Sequence, residues 1–190
     1  GTVALEEMTG KTWEEFVKKE IFEPLGMTRS TFYVDAIEAD ANHATPYDRP
    51  TPVELQGIRE IPFLKSDRED MAKGIGAPYG PAGSIMSTVN DMLKWVQFNL
   101  NNGKVGDKQL ISEAAMKEMH KANMLMSEPL LMPCKEMDFF SYGMGWFVET
   151  YRGHVMVEHG GNINGFSALV TMIPDQKLGV VTLTNFNDSF

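Results

Sequence analysis

The clearest secondary-structure pattern lies near the end of the chain, at residues 154–186, which read HVMVEHGGNINGFSALVTMIPDQKLGVVTLTNF. Apolar residues alternate with other residues along much of it, which is the period-two pattern of a strand with one buried face. The sequence PDQK at 174–177 is typical of a turn between two such strands. Together with YGMGWFVETY at 142–151, the pattern predicts four consecutive antiparallel strands.

The chain before residue 142 has apolar residues at helical spacing instead. Thr12 with Glu15, and Thr88 with Asp91, have the spacing of a capping box, and Ser112 is a third helix start. Helices followed by hairpin strands predict an α+β fold with an antiparallel sheet. We therefore expect one domain over 1–190, with mostly helices and loops over 1–141 and antiparallel strands over 142–190.

Three further features of the chain before residue 142 allow structural predictions. Pro24 should end the helix that begins after Thr12, because proline lacks a backbone N–H. The stretch 34–80 has no regular period and is longer than an ordinary connection, so we expect an irregular wall or lid. A second loop is expected over 123–138.

Composition and charge exclude several classes of protein. The chain has 190 residues, of which 43% are hydrophobic and 23% charged, as in ordinary soluble domains. A net charge of −9 without a basic cluster excludes a general nucleic-acid binder. No run of 18 apolar residues occurs, so no transmembrane segment is predicted. The chain begins inside a helical pattern without Met and ends just after a strand, so we expect it to be part of a longer protein.

His159 and the two glycines after it are the strongest sign of a functional site. Glycine inside a strand marks a bulge or a close approach of a ligand or another backbone. One interpretation is a hairpin turn beside a solvated histidine. The other is a bare strand edge, along which a substrate carbonyl can reach a main-chain N–H as in an oxyanion hole.

The rest of the machinery for acyl transfer is missing from the sequence. No S-x-x-K, G-x-S-x-G or Y-x-N motif occurs, although acyl transfer needs a nucleophile and a base. The four histidines lack the spacing of a zinc protease motif, and the single Cys134 cannot form an internal disulfide or a multi-cysteine zinc site. No metal or cofactor is predicted.

Four stretches, in this order, resemble the serine β-lactamase-like family, which includes penicillin-binding proteins, class C β-lactamases, and D-aminopeptidase- and esterase-like members. They are TGKTWEEFVKKEIFEPLGMTRSTF at 9–32, GPAGSIMSTVNDMLKWVQFNL at 80–100, YGMGWFV at 142–148 and HGGNINGF at 159–166. The resemblance covers nearly the whole chain. It implies a β-lactamase/transpeptidase-like fold, here without the N-terminal catalytic part and the final helix.

The resemblance also assigns roles to individual residues. His159 stands where many members have the lysine of their third active-site box, and Gly160 and Gly161 keep the strand edge clear. The backbone N–H of Asn162 is the implied oxyanion donor of this chain. The other implied substrate-binding residues are Asn164, Gly83 and Ser84. A histidine in place of the lysine favours peptidase or esterase chemistry over antibiotic hydrolysis.

Two functions follow from these expectations. The first is a part of a serine hydrolase that acts on a small-molecule or peptide substrate, with an amide, β-lactam or ester bond, through an acyl-enzyme; the isolated chain should then be inactive. The alternative is a non-catalytic sensor or binding protein of the penicillin-binding type. Exposed sheet edges would favour self-association. The sequence leaves localisation open, although many members of the family are bacterial and exported.

Overall fold

A computed structural model describes residues 2–48, 58–63, 77–127, 135–163 and 165–186. Its α-helices are α1 (Thr2–Thr9), α2 (Trp13–Val17), α3 (Glu23–Leu25), α4 (Val34–Glu38), α5 (Val89–Leu100) and α6 (Glu113–Met119). A π-helical turn covers Lys18–Phe22, and 3-10 helices cover Ala77–Ala82 and Pro174–Gln176. Within these described ranges, no helix is long and apolar enough to cross a membrane.

The capping box predicted at Thr12 is present. The Thr12 side chain accepts a hydrogen bond from the backbone N–H of Glu15, whose carboxylate accepts one from the Thr12 N–H. The prediction that Pro24 ends this helix is wrong. The π turn pairs the Glu23 N–H with the carbonyl of Lys18, so Pro24 enters in the first turn of α3, where a missing N–H costs little.

The start of α5 also differs in detail from a capping box. The Asp91 N–H donates to Thr88 Oγ1 at 3.3 Å, as predicted. The Asp91 carboxylate, however, accepts from the Arg29 N–H at 2.8 Å and from Ser30 Oγ at 3.0 Å. This carboxylate is 2% exposed and therefore links the start of α5 to a distant part of the chain.

The stretch 34–80 contains more structure than its sequence predicts. It holds α4, the 3-10 helix at Ala77–Ala82 and two short strands, β1 (Tyr47–Asp48) and β2 (Arg59–Glu60), which pair antiparallel. Two-residue strands are too short to show an alternating pattern. Of this stretch, residues 49–57 and 64–76 lie outside the described ranges.

The main sheet is larger than the four predicted strands. Its strands, in chain order after the short hairpin β3 (Lys104–Val105) and β4 (Lys108–Gln109), are β5 (Met124–Leu125), β6 (Met137–Tyr142), β7 (Phe147–Tyr151), β8 (His154–Ile163), β9 (Phe166–Ile173) and β10 (Leu178–Thr184). Their spatial order is β10-β9-β8-β7-β6-β5.

Two predictions are wrong here. Strand β5 lies within the expected loop over 123–138, and β6 begins before residue 142, where the sheet was expected to start. The register of β6 with β7 shifts between Met137 and Phe140, and this irregularity breaks the period-two pattern in the sequence. The described edges of the sheet are β5 and β10, and on β10 Leu178 and Val180 are each 51% exposed. Self-association through these edges stays a prediction.

The chain divides into two compact units. The first unit comprises 1–91, 161–167 and 183–189, and the second comprises 92–160, 168–182 and residue 190. In the first unit Phe32 packs edge-on against Trp13, at 4.9 Å between ring centroids, and stacks on Phe22 at 5.2 Å.

The core of the second unit joins α5 to one face of the sheet. Its buried members are Val96, Trp146, Val157, Val170 and Met172. Val157 is fully buried, which places the middle of β8 at the centre of this core. The strand that carries the candidate site is therefore anchored just before the site begins.

Candidate functional site

The candidate site lies on the second half of β8. Strand β8 runs without interruption from His154 to Ile163 and includes the His-Gly-Gly triplet. Its register with β7 ends at the pair Phe147 and Glu158. Residues 159–163 therefore extend past the start of β7, and no described strand pairs with them on that side.

The two glycines have different surroundings. A Cβ atom at Gly160 would lie 3.3 Å from the carbonyl oxygen of Ala168 and 3.3 Å from Leu169 Cδ1, both on β9. At Gly161 an added Cβ would meet no described atom within 4 Å. Gly160 thus allows close packing of β8 on β9, whereas Gly161 leaves open space beside the backbone.

Asn162 is held in place by its side chain. Its Oδ1 accepts a hydrogen bond from the hydroxyl of Ser167, which also lies 2.9 Å from the carbonyl oxygen of Phe186. Ser167 is 2% exposed, so this contact is shielded from water. The Oδ1 atom of Asn162 is therefore engaged by a buried hydroxyl group.

His159 has a partner that the sequence did not indicate. Its Nε2 lies 3.1 Å from the hydroxyl oxygen of Tyr142, the last residue of β6. Both rings contact Phe147, with centroid distances of 4.7 Å for Tyr142 and 5.4 Å for His159. Tyr142 and His159 are 17 positions apart. Only the register of three strands brings them together, and no sequence motif marks it.

Gly83 and Ser84 belong to a turn that satisfies its own hydrogen bonds. The Ser84 hydroxyl donates to the carbonyl oxygen of Gly80 at 2.7 Å, and the Ser84 N–H donates to the same oxygen at 3.0 Å. These contacts give Ser84 a role in closing the 3-10 helix. Asn164, the remaining implied binding residue, lies outside the described residues.

Two buried carboxyl groups adjoin the site on the same strands. Glu149 pairs with Met156 and Glu158 with Phe147, so the two glutamates are diagonal neighbours, and they are 1% and 4% exposed. Thr171 Oγ1 donates to Glu158 Oε2 at 3.2 Å, whereas Glu149 Oε2 has no hydrogen-bond partner among the described residues.

These surroundings disfavour the charged forms of both carboxyl groups. Burial, together with the charge of the neighbouring Glu158, raises the pKa of Glu149 from 4.5 to about 7. Burial also raises the pKa of Glu158, against the effect of the hydrogen bond from Thr171. A glutamate in an alternating strand is normally read as solvent-facing, so no sequence pattern indicated this pair.

The histidine that follows α6, His120, is half-buried. The ring of His120 packs edge-on against Trp146 at 5.5 Å, and its Nε2 lies 3.2 Å from Asn99 Oδ1. Burial lowers its pKa. His120 is thus part of the packing of the second unit.

Comparisons with known proteins give the wider context of this geometry. A family model described as Beta-lactamase matches residues 2–190. The unguisins hydrolase ungD of Aspergillus violaceofuscus is 29% identical over 95% of this chain and 32% of its own length. The chain therefore spans about a third of that curated relative.

Solved structures share the fold. The octameric penicillin-binding protein homologue from Pyrococcus abyssi has a TM-score of 0.76 and 24% identity, over 100% of this chain and 37% of its own. A class C β-lactamase has a TM-score of 0.64 and 20% identity, over 100% of this chain and 50% of its own. At these identities the likeness concerns the fold.

Proposed function

Because this chain belongs to the β-lactamase family, we propose that it is part of a serine hydrolase that acts by acyl-enzyme chemistry on an amide, β-lactam or ester bond. In this proposal the chain supplies the oxyanion strand and the substrate groove. The nucleophilic serine and its base come from a part of the protein outside these 190 residues.

The observation that carries the proposal is the bare end of β8. Residues 159–163 extend past β7, and Gly161 leaves the space beside their backbone open. A substrate can lie along this edge as an added strand, with its carbonyl oxygen facing the N–H of Asn162. The contact between Ser167 and Asn162 fixes that residue before the substrate arrives.

The alternative function depends on whether the complete protein carries S-x-x-K and Y-x-N, which do not occur in this sequence. If the complete protein also lacks these motifs, the same groove serves a non-catalytic sensor or binding protein. Such a protein would bind a peptide or a β-lactam reversibly. The two functions differ in whether a covalent adduct forms.

Intact-mass spectrometry separates them. The complete gene product and the present chain are each incubated with an acylating penicillin and with an activated ester. We expect an adduct on the complete protein, on a serine outside these residues, and none on the present chain. Saturable binding by the complete protein without any adduct would overturn the hydrolase in favour of the sensor.

The strand edge is tested in the complete protein with Gly161→Val. A branched side chain at this open position should slow acylation by at least the ~10²-fold typical of a damaged oxyanion site, because it occupies the space for the substrate. Unfolding measurements on the same variant show whether the fold is kept. An unchanged acylation rate in a folded variant would contradict the proposed path of the substrate.

A further inference from the structure

Tyr142 and His159 form a pair whose proton arrangement follows from their chemistry. A phenol hydroxyl has a pKa near 10 and an imidazole near 6.5, so the imidazole nitrogen is the better proton acceptor. When His159 is neutral, this difference favours an O–H···N hydrogen bond from the tyrosine across the 3.1 Å contact between Tyr142 Oη and His159 Nε2.

We propose that Tyr142 is a positioning residue that holds neutral His159 as its Nδ1–H tautomer, so that Nδ1 is the donor presented to a substrate. A nitrogen that accepts a hydrogen bond cannot carry the proton, so the proton of the neutral ring must be on Nδ1. In the part of the chain that the structure describes, no residue forms a hydrogen bond with this Nδ1. The role of Nδ1 as a substrate donor rests on the proposed function, whereas the tautomer does not.

The backbone around Tyr142 supports a fixed geometry for this pair. Tyr142 is paired with Met124 of β5 on one side and with Phe147 of β7 on the other. Its carbonyl oxygen accepts a further hydrogen bond from the Asn123 N–H at 3.1 Å. This pairing fixes the position of the Tyr142 backbone relative to β7 and β8.

The shared contact with Phe147 restricts the two rings as well. Phe147 is 8% exposed, and it packs edge-on against Tyr142, with an interplanar angle of 69°. His159 lies over the same ring at 36°. Each ring therefore has an apolar contact in addition to the hydrogen bond, which keeps the pair together although His159 itself is exposed.

The tautomer can be measured on the present chain by two-bond ¹H–¹⁵N correlation of the imidazole nitrogens above pH 8. His159 is assigned from its loss in a His159→Gln variant. We expect Nδ1 of His159 to show the shift of a protonated nitrogen and Nε2 that of an unprotonated one. In Tyr142→Phe the ratio of tautomers should move between about two- and tenfold toward Nε2–H, which corresponds to the net value of one hydrogen bond.

The matched control is Tyr151→Phe, which removes a hydroxyl from the same sheet at the end of β7, where Tyr151 contacts Arg152. This variant should leave the signals of His159 unchanged. A predominant Nε2–H form in the unmodified chain, or an unchanged ratio in Tyr142→Phe, would overturn the proposal. A fixed tautomer without acylation of the complete protein would refute the hydrolase and leave the role of Tyr142 in setting the tautomer intact.

Discussion

The two halves of β8 are parts of one strand and differ in almost every property. Residues 154–158 pair with β7, and Met156, Val157 and Glu158 are buried. Residues 159–163 extend past β7 and are mostly exposed. The first half is thus held by pairing and burial, whereas the second half is a strand end that lies outside the ladder with β7.

The largest effect is expected beside the first half of β8, where Glu149 of β7 pairs with Met156. There the free energy of unfolding should depend on pH. The raised pKa of Glu149 means that the native state keeps a proton that the unfolded chain has lost between pH 4.5 and about 7. The contribution of Glu149 to the free energy of unfolding should therefore be largest below pH 4.5 and fall by on the order of 3 kcal/mol as the pH rises through 7.

Denaturant unfolding at several pH values checks this expectation, with Glu149→Gln as the test variant. Glutamine cannot ionise, so the fall in stability between pH 4.5 and 7 should become much smaller. Glu118→Gln, which makes the same change on α6 where the side chain of Glu118 is 49% exposed, is the control. If the free energy of unfolding of Glu149→Gln fell with pH as steeply as that of the unmodified chain, Glu149 would not be the source of the pH dependence.

The next largest effect on the free energy of unfolding is expected from Val157, the residue by which the first half of β8 packs into the core. Val157→Ala removes two methyl groups from the fully buried centre of the core and should lower the free energy of unfolding by about 2 kcal/mol. Val155→Ala makes the same change two residues earlier, where the side chain is 50% exposed, and should have little effect. Equal losses of stability in both variants would mean that the burial of Val157 is not what stabilises the first half of β8.

The smallest effect concerns the two glycines. Gly160→Ala presses its new methyl group against the backbone of β9, whereas Gly161→Ala meets open space and also restricts the unfolded chain. We expect Gly161→Ala to be as stable as the unmodified chain or slightly more so, and Gly160→Ala to be less stable than it by roughly 0.5–1 kcal/mol. Thermal unfolding of the two alanine variants measures this difference. The reverse order of stability would mean that Gly161 is the packed position.

The sequence predicted those parts of the fold that depend on local patterns. The capping box at Thr12, the helix start at Ser112 and the strands from 154 onward are all present. Strand β6 was missed because an irregular register hides its alternation. The two-residue strand β5 is too short to have a pattern.

The site was predictable only where its residues are adjacent in sequence. The stretch from His159 to Asn162 is continuous and could be recognised as a bare strand. Tyr142 could not be found, because its contact with His159 depends on how β6, β7 and β8 are aligned. The support of Asn162 by Ser167 likewise depends on strand pairing, and so it carries no signature in the sequence.

The π turn at Lys18–Phe22 has a consequence for how this chain can change in length. In an unbroken α-helix Phe22 would lie about 140° around the axis from Val17, away from the buried face. The turn absorbs one residue, so that Phe22 is buried together with Val17 and Leu25. A homologue with one residue fewer here could form a plain α-helix with the same buried face, which makes this turn a place where an insertion or deletion leaves the packing unchanged.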